Sequence, residues 1–229
     1  MNIGRRDVLG VLAAAVAGLG AAAARAQGDP WFPITGDNGK PVANMRLPVE
    51  LTSEIETLPG VVWTGSATPG VTLIEFFDYN CPYCRKAAPD IHALVRDTPD
   101  LRVGLVNNPI LSPRSADAAK VELALLKLNG PGATYEFHRR LFERRGTIDG
   151  PKALEVVAAV GAPRAELERA AAGEEVRAAL DEQMRLAASL GFSATPSFMI
   201  AGAGVFGYPG SEALKQMLAS VNQCDQIAC

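Results

Sequence analysis

The sequence has few aromatic residues, few histidines and no surplus of positive charge. Of its 229 residues, 6% are aromatic and 2 are histidine, while 22 Lys and Arg stand against 25 Asp and Glu, giving a net charge of −3. Without a basic surplus or a basic run, the chain is a poor candidate for a nucleic-acid partner. A hydrophobic content of 48% excludes a disordered protein. Four cysteines are too few to staple a scaffold of this size, but they suffice for one redox or metal site.

The first 26 residues are predicted to be an export signal peptide. Arg5 and Arg6 form a short positive region, residues 8–24 are an apolar run, and residues 24–26 read Ala-Arg-Ala, which fits a cleavage site. The string RRDVL resembles a twin-arginine signal, with Sec export and an uncleaved anchor as alternatives. Export to the periplasm would place all four cysteines in an oxidising compartment, where a disulfide can persist.

The segment after the signal changes from a proline-rich arm to regular structure. Residues 27–60 contain five prolines and are predicted to be an extended N-terminal arm with a short helix near 53–57. Residues 71–77, VTLIEFF, have the β-branched and aromatic composition of a buried strand. A helix over 82–97 and a second strand over 101–106 complete a strand–helix–strand unit, which implies parallel pairing.

The rest of the chain divides into a helical block and a second α/β part. The fold class is therefore α/β, with residues 61–111 and 193–229 as two halves of one core and residues 112–192 as a helical insertion. Glycine and proline clusters are expected to cut that insertion into several helices. Within the second half, two short strands (196–200 and 204–208) precede a helix over 211–222, for which Ser211 is the expected N-cap.

Two cysteines, Cys81 and Cys84, follow the buried strand directly and open a helix. A spacing of three places both sulfurs on one side of the first turn, close enough for a disulfide. We expect Cys81 to face solvent at the helix N-terminus, where free N–H groups and the helix dipole stabilise a thiolate and lower its pKa. Cys81 is then the nucleophile, and Cys84 resolves the mixed disulfide.

Two structural alternatives compete with this redox interpretation. A permanent disulfide between these cysteines would be strained and exposed, so it would be a poor structural cross-link. A zinc site would need a second ligand pair, and the remaining candidates, Cys224, Cys229, His92 and His138, lack suitable spacing. We therefore predict no metal site and no cofactor, and assign both histidines to surface or packing positions.

Two further cysteines end the chain. Cys224 and Cys229 lie just beyond the last predicted helix, and we predict that they form a local structural disulfide. A second redox pair that exchanges with the first, or two free thiols, are the alternatives.

Two motifs give the chain a family resemblance. Residues 76–86, FFDYNCPYCRK, resemble the active-site segment of DsbA-type thioredoxin-fold oxidoreductases, and the ScsC-like subgroup is the most similar. Residues 194–200, ATPSFMI, resemble the cis-proline loop of that family, and residues 137–142 fit its helical domain. The resemblance covers about residues 60–222 and implies a thioredoxin-like fold with an inserted α-helical domain.

The resemblance also implies roles for residues outside the cysteine motif. The Thr195–Pro196 bond would be cis beside Cys81, and the backbone of Thr195 would pair with the substrate as an added strand; an ordinary trans proline is the alternative. Substrate binding would use the apolar surface around Tyr83, Thr195 and Pro196. Glu75 would lie beneath the second cysteine and move a proton to or from it, unless it is exposed at a sheet edge.

The predicted function is that of a periplasmic thiol–disulfide oxidoreductase acting on exported proteins with cysteines. A membrane redox partner, either a DsbB-like oxidase or a DsbD-like reductase, would reset the site, as the resemblance implies. Tyr83 stands where the best-known oxidases have histidine, which leaves the direction of electron flow open, although Arg85 and Lys86 could partly compensate for the missing charge. A disulfide isomerase or reductase and a Cu(I)-binding thiol protein are the alternatives.

Overall fold

The computed structural model describes residues 31–161 and 163–229, so the export signal expected over residues 1–26 lies outside them. The strands are β1 (Asn44–Arg46), β2 (Val62–Gly65), β3 (Val71–Phe77), β4 (Leu101–Asn107), β5 (Ser197–Ile200) and β6 (Ala203–Phe206). The α-helices are α1 (Val49–Ser53), α2 (Pro82–Asp97), α3 (Pro113–Glu143), α4 (Gly150–Val157), α5 (Arg164–Ala171), α6 (Glu174–Ser189) and α7 (Ser211–Cys224).

The six strands form one mixed sheet in the order β1-β6-β5-β3-β4-β2. Strands β3 and β4 pair in parallel over their full length, and helix α2 makes the crossover between them, as the sequence predicts. The other neighbouring strands pair antiparallel. With helices α3 to α6 placed in the chain between β4 and β5, the fold is the expected α/β core with an inserted helical block.

Strand β3 lies at the centre of the sheet and supplies both hydrophobic layers. Leu73 and Phe77 belong to the larger core cluster, whereas Ile74 and Phe76 belong to the smaller one on the other face. Successive side chains of a strand point to opposite faces, so an apolar run without alternation is what a strand covered on both sides needs. Glu75 shares the face of Leu73 and Phe77, and this face receives the active cysteines.

The proline-rich segment is more ordered than an extended arm. Its described part contributes the edge strand β1, which pairs with β6, and the helix α1, followed by a 3-10 turn over Glu54–Glu56. Strand β2, which pairs with β4, is also absent from the sequence prediction. Edge strands of three or four residues are too short to show a period of two, and their position is decided by the neighbouring strand rather than by local sequence.

The helical insertion breaks at the expected turn signals. Within α3 the Gly-Pro-Gly cluster separates two helical segments, because Gly130 leaves helical geometry (φ 79°, ψ 177°). The stretch 165–190 forms two helices rather than one, since Gly173 stands between α5 and α6 and caps α6. None of the helices in the described ranges combines the length and apolarity that a membrane span requires.

Helix α7 is capped from a distance rather than by its own first residue. Ser211 is the first helical residue and not the N-cap, which is Gly210 (φ 108°). The Asp37 carboxylate accepts the N–H groups of Glu212 (3.1 Å) and Ala213 (2.9 Å). A Cβ on Gly210 would lie 2.1 Å from the Asp37 Cγ, so this position needs glycine for space as well as for its positive φ.

We predict that Asp37→Ala lowers the free energy of unfolding by about 1 kcal/mol, because two N–H groups of α7 lose their capping acceptor. Asp37→Asn keeps an acceptor oxygen and serves as the matched control, with a smaller loss. Urea unfolding monitored by circular dichroism measures both. Equal stabilities of the Ala variant and the wild type would contradict the distant cap.

Candidate active site

The two cysteines lie where the central strand β3 turns into helix α2. Cys81 is the N-cap of α2, with extended backbone (φ −77°, ψ 121°), and Pro82 occupies the first turn. Proline suits this place because its ring presets φ and its missing N–H has no partner there in any helix. Cys84 follows within the same turn and is fully buried.

The turn between β3 and α2 is held by two polar side chains that the sequence interpretation missed. Asp78, 1% exposed, accepts the N–H of Asn80 (2.7 Å) with one oxygen and that of Leu111 (2.9 Å) with the other. The Asn80 amide exchanges hydrogen bonds with the backbone of Ile148, both at 2.8 Å. Asp and Asn directly after a buried strand were the available signal, since both types favour turns.

Cys81 is covered, which corrects the expectation that it faces solvent. The residue is only 4% exposed, and its Sγ donates a hydrogen bond to the carbonyl oxygen of Thr195 at 3.0 Å. Thr195 comes from the loop before β5, 114 residues along the chain. The long-range fold therefore closes over the sulfur. Both Cys81 and Cys84 are free thiols in this structure.

The pKa of Cys81 is lowered from an ordinary 9.0 to about 6. The largest cause is hydrogen bonding from the Cys84 thiol. Burial acts in the opposite direction, and the backbone N–H groups of Cys84 and Tyr83 contribute further hydrogen bonds that lower the pKa. The direction agrees with the sequence prediction, and the backbone N–H groups at the start of the helix contribute as expected, although the neighbouring thiol contributes most.

The second thiol is shifted the other way. Burial raises the pKa of Cys84 far above its ordinary value, and its hydrogen bond to Cys81 and the negative charges of Glu75 and Cys81 raise it further. Cys84 is therefore a neutral donor beside a charged acceptor. The same turn of helix holds one thiolate and one thiol near neutral pH.

The two basic residues that follow the motif do not face the thiolate. Arg85 donates to the backbone carbonyls of Phe142 and Arg144, and the Lys86 ammonium lies 5.9 Å from the centre of the Tyr208 ring. Their expected compensation for the missing histidine at position 83 is not seen, because neither is among the groups that lower the Cys81 pKa.

The loop before β5 has the cis geometry that the resemblance implies. The peptide bond between Thr195 and Pro196 is cis, and the Thr195 hydroxyl oxygen is buried without a hydrogen-bond partner in the protein. Tyr83, on the other side of Cys81, is 62% exposed. The structure thus brings Thr195 to the reactive sulfur and leaves the Tyr83 ring available at the surface.

Glu75 is buried in the central strand, which excludes the alternative of an exposed edge position. It is 1% exposed, and neither carboxyl oxygen has a hydrogen-bond partner in the protein. Its pKa is raised from 4.5 to about 8 by burial first, then by the charges of Cys81 and Glu122. At neutral pH this carboxyl is mostly protonated, and it is close enough to act electrostatically on Cys84.

A second buried carboxyl, Glu122, lies in the helical insertion and was not identified from the sequence. Its Oε1 accepts the Tyr79 hydroxyl at 2.8 Å and lies 3.3 Å from the His138 Nδ1, and its Oε2 accepts the Asn107 amide at 2.7 Å. Unlike Glu75, it has partners on both oxygens. One acid inside the apolar run VELALL was the only local signal.

The two histidines take different places. His138 is buried, joins the Glu122 cluster and packs its ring 4.6 Å from that of Phe77. His92 lies on α2, where its Nδ1 is 2.9 Å from the Tyr135 hydroxyl. Within the described ranges, no three side chains of His, Cys, Asp or Glu gather as a metal-ligand group.

The last two cysteines form a disulfide, Cys224–Cys229, with an S–S distance of 2.08 Å. It closes the loop that follows α7 and buries Ile227 against the core. The bond confirms the predicted pairing and excludes two free thiols, while its role as a structural clip stays a prediction.

The comparisons with known proteins agree with this geometry. The DSBA-like thioredoxin domain model matches residues 72–219. A thioredoxin-like oxidoreductase from Silicibacter pomeroyi DSS-3 is 33% identical, with a TM-score of 0.67, over 72% of this chain and 94% of that one. The catalytic domain of Proteus mirabilis ScsC is 22% identical, with a TM-score of 0.68, over 76% of this chain and 97% of that one.

A periplasmic thioredoxin-like protein from Salmonella enterica serovar Typhimurium is 21% identical, with a TM-score of 0.68, over 78% of this chain and 99% of that one. At 21–22% identity, the likeness to the Proteus and Salmonella structures shows the fold. A search of the curated proteins finds no match.

We predict that Cys84→Ala raises the pKa of Cys81 from about 6 by at least about one unit, because the thiolate loses its strongest donor. Cys84→Ser keeps a hydroxyl donor and is the matched control, with a pKa close to that of the wild type. The rate of iodoacetamide alkylation as a function of pH reports both values. Identical titration curves for the Ala and Ser variants would contradict the assigned cause.

We predict that Glu75 makes folding stability fall as pH rises from about 5 to 8. Its folded pKa of about 8 exceeds the unfolded 4.5, so the folded state binds more protons in that window, and raising the pH favours unfolding. Glu75→Gln removes this slope, and the difference between the two proteins should grow by on the order of 3 kcal/mol.

The Glu75 comparison is best made by urea unfolding in a background with Cys81→Ser and Cys84→Ser, where no active-site thiol titrates. Burial, the largest cause of the Glu75 shift, remains in that background. Parallel stability curves for the Glu75→Gln variant and its parent across this pH range would show that the carboxyl titrates normally.

Proposed function

Because the chain belongs to the DSBA-like thioredoxin family, whose chemistry is thiol–disulfide exchange, we propose that it exchanges a Cys81–Cys84 disulfide with cysteines of exported proteins in the periplasm. The observation that carries this proposal is the placement of two free cysteines in one helical turn beside the cis Thr195–Pro196 bond, where their pKa values shift in opposite directions. A sulfur with a low pKa is both a nucleophile near neutral pH and a good leaving group.

In the oxidising direction, a substrate thiolate attacks the Cys81 sulfur of the disulfide. The Cys81–Cys84 bond breaks, a substrate–Cys81 disulfide forms, and the electron pair leaves on Cys84, which takes up a proton. A second substrate thiolate then attacks the substrate sulfur of the mixed disulfide, so that the substrate is oxidised and Cys81 leaves as a thiolate. The reverse sequence reduces a substrate disulfide.

Glu75 is the proposed source of the proton that Cys84 takes up. Cys84 is fully buried, so water has poor access to its sulfur during the first step. Glu75 is buried on the same side of the sheet, carries its proton at neutral pH, and has no hydrogen bond in the protein that would hold it elsewhere. A general acid works best with a pKa near the working pH, which this carboxyl has.

Substrate binding is proposed to use both sides of Cys81. The backbone of Thr195 and Pro196 lies against the sulfur and could pair with an extended chain as an added strand. On the other side, the exposed ring of Tyr83 offers apolar surface, as does Leu111, which is 53% exposed. Pairing with the Thr195 backbone needs no particular side chain of the substrate.

The location and the partners complete the proposal. The apolar, arginine-led residues 1–26 support export, and the similarity to a periplasmic thioredoxin-like protein supports the same compartment. A membrane redox partner, DsbB-like or DsbD-like, would restore the starting state. The isomerase or reductase alternative uses the same two steps in the reverse direction, whereas no observation favours the Cu(I)-binding alternative.

We predict that the wild-type chain, oxidised at Cys81–Cys84, restores activity to a reduced, unfolded test protein, and that Cys81→Ser abolishes this. Cys84→Ser, mixed instead with a test protein that contains disulfides, should accumulate a mixed disulfide between Cys81 and that protein, detectable by mass spectrometry, because the resolving thiol is missing. A variant with both Cys224→Ser and Cys229→Ser is the matched control and should keep its exchange activity. Full activity of Cys81→Ser would refute the proposed function.

A further inference from the structure

An open groove with a volume of about 730 Å³ begins at Pro82, directly beside the first cysteine of the motif. Its walls come from the first turn of α2 with Arg85, from the start of α3 with Leu111 and Arg114, and from the turn at Gly146. The groove therefore lies between the thioredoxin-like core and the helical insertion, within reach of a chain attached to Cys81.

The groove is cationic although the chain as a whole is acidic. Two arginines and no carboxylate line it, against a net charge of −3 for the sequence. Neither arginine forms an ion pair within the part of the chain that the structure describes. Three acids close in sequence to the lining are engaged elsewhere, since Asp78 accepts the N–H groups of Asn80 and Leu111, Asp117 pairs with Lys120, and Asp149 caps α4 through the N–H of Lys152.

The two arginines differ in how they are held. The Arg85 guanidinium is half-buried and fixed by the carbonyls of Phe142 and Arg144, which orient it without neutralising its charge. Arg114 is exposed on the first turn of α3. A fixed guanidinium binds a carboxylate at a lower cost in side-chain entropy, while a mobile one can adjust to where the carboxylate lies.

We propose that this groove binds acidic side chains next to the reactive cysteine of the partner polypeptide, so that segments with Asp or Glu beside their cysteine are preferred. The proposal rests on the proposed function and names its substrate class. In the mixed disulfide the partner's sulfur is bonded to Cys81, so the residues flanking that sulfur must lie against the surfaces beside it. One such surface is the Thr195 loop, and the other is this groove.

The chemistry of the walls fits such an occupant. Guanidinium and carboxylate form charge-assisted hydrogen bonds, and Leu111 and Pro82 provide apolar contact for the aliphatic part of a Glu side chain. Because the pairs are solvent-exposed, each contributes modestly, and the preference should weaken as salt rises.

The test uses three eight-residue peptides that carry one cysteine flanked on both sides by Glu, Gln or Lys. The rate of their attack on the oxidised full chain is measured in low salt by acid quenching and chromatography. Each rate is divided by the rate of the same peptide with hydroxyethyl disulfide, which corrects for the effect of flanking charge on the peptide thiol. We expect the Glu peptide to react about fivefold faster than the Lys peptide.

The matched variants are Arg114→Glu, Arg114→Gln and Arg169→Glu. Arg114→Glu should reverse the order of the Glu and Lys peptides, and Arg114→Gln, which removes the charge without inverting it, should reduce the difference. Arg169 is an exposed arginine on α5 outside the groove, so Arg169→Glu makes the same charge change and should leave the preference unaltered. Circular dichroism verifies folding of each variant.

Dithiothreitol, which is uncharged, separates the two proposals. If it reduces the oxidised chain quickly but the peptide preference is absent, or is the same in the Arg114 variants as in the wild type, the groove inference is overturned and the proposed function stands. If neither dithiothreitol nor any peptide reacts at Cys81, both are overturned.

Discussion

The stabilisation of the Cys81 thiolate by the neighbouring Cys84 thiol is the interaction on which this site depends. Hydrogen bonding from Cys84 is the largest of the effects that lower the Cys81 pKa to about 6. This hydrogen bonding requires one sulfur to stay neutral while its neighbour is charged, and burial of Cys84 enforces that difference. The two cysteines are positioned by the end of the buried strand β3, by the turn that Asp78 holds, and by the start of α2 at Cys81.

The two buried carboxyl groups near the site, Glu75 and Glu122, differ in their hydrogen-bond partners. Glu122 has hydrogen-bond donors on both oxygens, whereas Glu75 has none. The proton therefore resides on Glu75, where the negative charges of Cys81 and Glu122 also favour it. A buried carboxyl without partners is costly for stability, and such a cost is typical of groups that move protons during catalysis.

The parts of the fold that depend on local sequence were predictable, while those that depend on distant contacts were not. Strand 71–77 and the helix from Pro82 to Asp97 have the observed bounds, because an apolar run and a proline at the first turn are local signals. The covering of Cys81 comes from Thr195, and the cap of α7 comes from Asp37. In both cases the decisive contact crosses more than one hundred residues, and no period or spacing encodes it. Glu122 was missed for the same reason, since its partners lie on β4 and the turn after β3 as well as on its own helix.

The equilibrium between the Cys81–Cys84 disulfide and glutathione, followed as a function of pH, tests the central claim most directly. Glutathione thiols titrate like ordinary cysteine, at about pH 8.5, so only the reduced protein releases a proton between about pH 6 and pH 8. Our account predicts that the equilibrium constant for reduction of the protein is constant below about pH 6 and then rises about tenfold per pH unit. A constant that does not change up to about pH 8 would show that Cys81 holds its proton, and would contradict the account.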